Sequence, residues 1–499
     1  MTNKPIKKET DVEITYGIKI LDSPTPKANS KDIRSAVTKE KTVEKFRSIA
    51  QNYVTVLDVL WQYTQEIGLV ANNTSLLNFT KLPTILDELR ARNKKASSTE
   101  KPVANFTLSI KKKNLKKKEA IIPIFEISHL KKLSDYFRHN DKALHLLHET
   151  VLQQMVNAWE KVLASLLEWK FKSSPDIIPK ERTITYSDIL SFNDFDDVQK
   201  HLIENEIDEF LKRNTTSDQI KYFKENLNVD LRSNFSFVDD LCEVVLRRHA
   251  IVHAGGIASG EYLNRVKKLR NLTFKVPAEG NDLSKSDSYV IRAWCILYAA
   301  GVILLHLLAV DHARGKKSKE DEEYADEFLN NAAYNNIKNK QYFSAELILE
   351  YANNRHLASS ISALMGLINL AQTYKWQGNV EKCKALLNGH NWQSCSADFK
   401  TCVAALNEDY EAFCKNLKIA VQEKTVTLES LYEWPVFQSM RNVKTFKQDV
   451  KDITGLEFNE SDIQNTPTLL DFDSKEKLDD FFKKLSKDDT LPLSNIQSE

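Results

Sequence analysis

The sequence predicts a mainly α protein: a helical bundle followed by a C-terminal array of α-hairpins, with a small β-hairpin element near residues 102–127. Three observations carry this prediction. Over long stretches apolar residues recur at the three- and four-residue spacing that gathers them on one face of a helix. Gly and Pro number only 12 each in 499 residues, too few for the many turns of an all-β architecture. After residue 319 a pattern of small and large residues returns about 38 residues later, the mark of stacked helical hairpins.

Taken in order, residues 1–45 are rich in Lys, Thr, Ser and Pro and too poor in large apolar residues to form a core, so a flexible N-terminal arm is expected. A domain over 46–139 follows. Its helical part carries Phe46, Ile49, Val54, Leu57, Leu60 and Trp61, then Leu77, Leu82, Ile85, Leu86 and Leu89. Between Pro102 and Ile127 the period drops towards two, with Val103, Phe106, Leu108 and Ile110 alternating before the strand-like Ala120–Ile127, and Pro123 assigns that strand to an edge. The turn between the strands would be Lys111–Lys118, six lysines in eight residues. That loop either contacts phosphates or is a solvated loop whose charge blocks edge pairing.

A bundle is expected over 140–318. Its first long helix, His145 to Phe171, is defined by Leu146, Leu147, Val151, Met155, Trp159, Val162, Leu163, Leu166, Leu167 and Trp169, and Pro175 and Pro179 end it. A second, near Asp196–Lys212, buries Val198, Leu202, Ile203, Ile207 and Phe210. A last one, 287–312, contains Ala293–Val310, apolar on every side and about the minimum length of a membrane span. His306 inside it and charges of both signs at its ends favour a buried core or interface helix, with no stable membrane insertion. The charged run Gly315–Glu323 leads to the repeats, 319–460, where Ala333, Tyr342, Ala345, Leu349 and Ala352 match tetratricopeptide-like positions. Leu370, Ala371, Tyr374, Gly378 and Cys383 match them again, and Tyr410, Phe413, Leu417 and Ala420 more weakly. Leu431–Phe437 would cap the stack, and 461–499 reads as a weakly ordered tail.

Between the second and last bundle helices lies the stretch on which function turns, Leu241-Cys-Glu-Val-Val-Leu-Arg-Arg-His-Ala-Ile-Val-His-Ala-Gly-Gly256. Phe237, Val238, Leu241, Val244, Val245, Ile251 and Val252 share one apolar face on a helical wheel, and Arg248 falls in the middle of it. An unpaired guanidinium costs several kcal/mol to desolvate, so Arg248 needs an anion. His253 flanks the same face, and Gly255-Gly256 supplies the stop. Glu243 and Arg247, four apart, read as a helix-surface ion pair on the outward side.

Arg248-His249-Ala-Ile-Val-His253 resembles the Arg-polar-x-x-x-His motif of HEPN-domain ribonucleases, in the form used by bacterial toxin, abortive-infection and antiphage proteins. The commoner form has Asn after the Arg and after the His, where this chain has His249 and Ala254. The resemblance covers about 140–318 and implies a HEPN-like helical bundle that pairs as a homodimer with a composite cleft. It also implies metal-independent endoribonuclease activity with no cofactor. In such a reaction the 2′-hydroxyl of RNA attacks the adjacent phosphate and leaves a 2′,3′-cyclic phosphate. His253 would move the proton, Arg248 would hold the non-bridging oxygens, and His249 would orient the phosphate or the neighbouring ring. Arg247 and Glu243 would support them. On residues alone a second account stays open: Arg248 pairs with an acid such as Glu160 or Glu206, and His253 merely favours the helix C-terminus. The chain would then be a non-catalytic dimerisation scaffold.

Composition bounds the remainder. Lys and Arg total 70 against 69 Asp and Glu, so any RNA site must be a local basic patch. The six cysteines show no CxxC pair and no His partner at metal spacing, and the first ten residues lack an apolar signal-peptide core, which together predict a reducing, cytoplasmic location. No Walker or dinucleotide Gly loop, Gly-x-Ser-x-Gly or His-Glu-x-x-His occurs. The repeat array offers a concave surface for a protein or peptide trigger.

Overall fold

The structure, a computed structural model, describes residues 45–61, 88–89, 91–95, 104–110, 118–124, 127–178, 183–212, 215–283 and 287–456. The arm before residue 45, the apolar residues Leu77, Leu82, Ile85 and Leu86, the lysine-rich segment 111–117 and the tail beyond 456 lie outside them. The described chain is mainly helical.

Residues 45–61 are helical (α1) and bury Ala50, Tyr53 and Leu57. The hairpin expected from the alternating period is present as β1, Ala104–Ile110, antiparallel to β2, Lys118–Ile124, with Asn105 opposite Pro123. Among the described residues the sheet has these two strands alone, so each is an edge strand, where a proline without an N–H is tolerated.

Four long helices then pack together: α2 (Ile127–Ser173), α3 (Phe195–Lys212), α5 (Val238–His253) and α7 (Asp287–Lys316), with α4 (Thr216–Leu227) and α6 (Gly260–Val266) between them. The α2 helix starts 18 residues before the expected His145, and the sequence there already carries Ile127, Leu130, Leu133 and Phe137 at helical spacing, a signal that joins the strand-like run before it without a break. Of its expected apolar face, Leu146 is exposed, while Val151 through Phe171 supply buried residues every three or four positions.

The apolar helix α7 is long and apolar enough to cross a membrane, yet 94% of its most apolar window is buried inside the molecule. Its neighbours explain how. On one side it meets α2 and α5, and on another α8 (Lys319–Lys338) and α9 (Tyr342–Asn353). Gly301 lets α1 approach, since a Cβ there would overlap the Tyr53 ring, and the Tyr53 hydroxyl donates to the Leu297 carbonyl at 2.6 Å. His306 is satisfied within this core. Its Nε2 lies 3.0 Å from Asp326 Oδ1 and its Nδ1 2.9 Å from the Tyr351 hydroxyl. A carboxylate only accepts, so Nε2 carries the proton and Tyr351 donates to Nδ1. Burial holds the imidazole below its ordinary value, outweighing Asp326.

Beyond Ser318, which caps α8 by accepting from the Asp321 N–H, the chain runs as helical hairpins. These are α8–α9, α10 (Ser360–Trp376) with α11 (Val380–Asn388), and α12 (Ala397–Leu406) with α13 (Tyr410–Gln422). The three hairpins share one turn. In each a single left-handed residue, Lys340, Gly378 or Glu408, sits between the helices and donates its N–H to the carbonyl three residues back, while the next residue reaches five back. Ala333, Ala345, Ala352 and Ala371 are buried where helices pack most closely, as the small-residue pattern requires. Leu431, Val436 and Phe437 are buried at the end of the stack. All six cysteines are free, and four of them are buried.

Candidate active site

The α5 helix is anchored at both ends. Near its start the Asp239 carboxylate accepts the backbone N–H groups of Arg270 and Asn271, each at 3.1 Å, and Asp240 accepts the Thr273 N–H at 2.7 Å. These bonds tie the segment after α6 to the first turn of α5. The helix ends at His253, where Gly255 and Gly256 take φ of 67° and 72°. Only glycine occupies that region at no steric cost, so the Gly-Gly pair is the stop that the sequence implies.

Between these ends Phe237, Val238, Leu241, Val244 and Ile251 are buried as the helical wheel selects, but the buried arc reaches further round the helix than expected. Glu243 and Arg247, expected on the outward side, are sealed in the interior at 0% and 3% side-chain exposure. Arg247 Nε donates to Glu243 Oε1 at 2.8 Å. The Tyr262 hydroxyl donates to the same oxygen at 2.6 Å, and the Tyr289 hydroxyl to Oε2 at 2.7 Å. The guanidinium also lies 3.6 Å from the Tyr289 ring centre. Two tyrosines and a cation thus saturate the carboxylate, which is the condition for burying an ion pair. Burial and the Glu243 charge push both phenols up. The physical reason is that partners from α6 and α7 neutralise the pair, so the buried arc widens to include it beside the expected apolar face. Val252, assigned to the apolar face, is exposed.

Arg248 accordingly moves from the centre of the buried face to its flank. It is half-buried and bonds Glu160 of α2 through NH2, while its Nε is buried without a hydrogen-bond partner. Glu206, the other acid considered for it, accepts the Tyr222 hydroxyl at 2.7 Å instead.

His249 and His253 come together on the exposed side, their ring centres 4.5 Å apart. Burial, together with the positive fields of His253, Arg265 and Arg248, holds His249 below the ordinary histidine value, and Glu261 opposes this weakly. The neighbouring ring is one of the causes that keep His249 neutral. Two adjacent imidazoles are groups able to accept a proton at one oxygen and return it at another.

The expected site residues therefore fall into two groups. Arg248, His249 and His253 share the C-terminal half of α5 next to solvent, whereas Glu243 and Arg247 form a buried brace behind them. Reading by motif overlooked the cations that follow. Arg265, Lys268 and Arg270, with Arg232 from before α5, edge a cleft of about 920 Å³ along the same helix. The signal was present, since four of the six residues in Arg265-Val-Lys-Lys-Leu-Arg270 are basic. No family model, curated protein or solved structure matches the chain.

Proposed function

We propose that the chain is a metal-independent endoribonuclease of the HEPN type, acting as a growth-arresting toxin or antiphage effector. The observation that carries this reading is the contact between His249 and His253 beside Arg248 at a solvent-exposed helix end. His249, held neutral, suits the base. It takes the proton of the 2′-hydroxyl as the O2′–P bond forms, and the P–O5′ bond breaks as the departing oxygen takes a proton from His253. Arg248 offsets charge on the non-bridging oxygens. The reading is further supported by the packing of α3, α5 and α7 on α2, with α5 also against α7, since four helices are what the family resemblance calls for.

A homodimer with a composite cleft belongs to the same proposal. Exposed Val252 and Ile257 flank the end of α5, and exposed Leu146 lies one turn before Glu149, whose Oε1 is 3.3 Å from where a Gly256 Cβ would stand. Such a surface suits a second protomer. The repeat array would receive a protein or peptide trigger. One observation favours the non-catalytic dimerisation scaffold instead: the Arg248–Glu160 ion pair, which already gives the guanidinium a structural partner.

The test is cleavage of total cellular RNA in the presence of chelator by the wild type, Arg248→Ala and His253→Ala, each checked for fold and dimer. Chelator-resistant cutting that both variants lose supports the nuclease. Equal cutting by all three removes this site, and Glu160→Gln separates the readings, because a purely structural Arg248 loses stability there without any change in cutting per folded molecule.

A further inference from the structure

The cleft beside α5 has its own chemistry. Asp239, Cys242 and Leu246 form its floor, and on a helix of 3.6 residues per turn positions 239, 242, 246, 249 and 253 make one continuous stripe. The floor of the cleft thus leads along α5 directly to His249 and His253. Its walls carry Arg232, Arg265, Lys268 and Arg270. Lys268 and Arg270 are exposed, and their side chains make no ion pair among the described residues. The acids do little to cancel this charge. Asp239 is taken up by two backbone N–H groups and by Arg232 at 3.4 Å, and Glu261 pairs with Arg265 on the outside. Thr216 also lines the cleft, with its own Oγ1 buried beneath the surface. Cys242 is no nucleophile here, because burial pushes its thiol up to about 12. The cleft is built to bind an anion and not to react with one.

We propose that this cleft seats the sugar-phosphate backbone of the single-stranded RNA substrate, with Lys268 and Arg270 on its phosphates, and feeds it along α5 to the histidine pair. This rests on the ribonuclease reading for the identity of the ligand. Among the described residues the one aromatic lining the cleft, Phe235, is buried in the core at 1% exposure, so the cleft grips the backbone by charge, which carries no sequence information.

The experiment is fluorescence anisotropy of a short labelled oligouridylate on the full chain carrying His253→Ala, which prevents cutting during the measurement. Adding Lys268→Ala and Arg270→Ala, both exposed and harmless to the core, raises Kd by about tenfold and lowers the salt slope by about 1.4, the share of two lost phosphate contacts on a single strand. The control is Lys415→Ala with Lys418→Ala on α13, which removes the same charge from exposed positions in the array and leaves both quantities unchanged. Equal affinity and slope in the cleft and control variants overturn the proposal, as does binding of a nucleoside triphosphate through these residues without binding of RNA. RNA bound through the cleft but never cut leaves the cleft standing and removes the nuclease. Cutting that needs Arg248 and His253 but ignores the cleft residues does the reverse.

Discussion

Glu243 and Arg247 hold each other one turn apart at the driest point of α5, with the Nε–Oε1 bond at 2.8 Å and both side chains almost fully removed from water. Because Tyr262 of α6 and Tyr289 of α7 donate to the same carboxylate, the pair joins three helices immediately behind the exposed histidines. It sets the rotation of α5 and therefore decides which residues of the motif face solvent.

Glu243→Gln is expected to destabilise the protein by about 3–5 kcal/mol, since it strands a buried guanidinium. Tyr289→Phe, which removes one hydrogen bond to a charged group, costs about 1.5–3 kcal/mol. Urea unfolding followed by circular dichroism checks both, and an unchanged midpoint in Glu243→Gln would show that the pair is not the brace described.

His249 is expected to titrate below 6.5, so that its neutral form persists as pH falls past the point where an ordinary histidine takes up its proton. Removing a neighbouring cation reverses part of this. In Arg265→Ala the value rises towards 6.5, and in Glu261→Gln, which removes the opposing anion, it falls further. Two-dimensional NMR of the imidazole nitrogens reads these shifts without any activity assay. If the ribonuclease reading holds, the acid limb of the kcat/KM profile moves in the same direction.

Gly301→Ala is expected to cost about 1–3 kcal/mol, the usual toll of forcing a methyl group into a filled core, because the new carbon meets the Tyr53 ring. Tyr53→Ala removes the obstacle, at its own cost in packing. A double-mutant cycle on thermal unfolding should therefore show the two changes to be strongly coupled, whereas simple additivity would mean that α1 does not press on α7 at this point.

Where burial depends on a helix and its own periodicity, the sequence was readable. The four bundle helices, the hairpin turn at Gly378 and the Gly-Gly stop all appear where the spacing put them. The first turns of α2 follow directly on the strand-like run ending at Ile127, so their helical spacing, Ile127, Leu130, Leu133 and Phe137, has no stop or cap before it to mark a start. The exchange between Arg247 and Arg248 could not be read locally, since what draws Arg247 inward is a pair of hydroxyls 15 and 42 positions downstream, on Tyr262 and Tyr289. Two adjacent arginines differ only in what the remainder of the chain brings to them. The cleft cations were visible as a cluster but carried no motif, and only the bonds from Asp239 to the backbone of Arg270 and Asn271 bring them alongside α5.

The helix α7 has no idle side. It supports α5 on one flank and carries the array on the other, and the bond from His306 to Asp326 is a rivet between the two. Anything that levers α8 away from this seam must either draw that rivet or drag α7 with it, and with α7 the floor on which Tyr289 grips Glu243. The molecule is therefore better pictured as a loaded beam than as a head joined to a tail: force applied at the far hairpins has a stiff route to the ledge that bears the two histidines, and cutting the chain at Ser318 would remove the route along with the load.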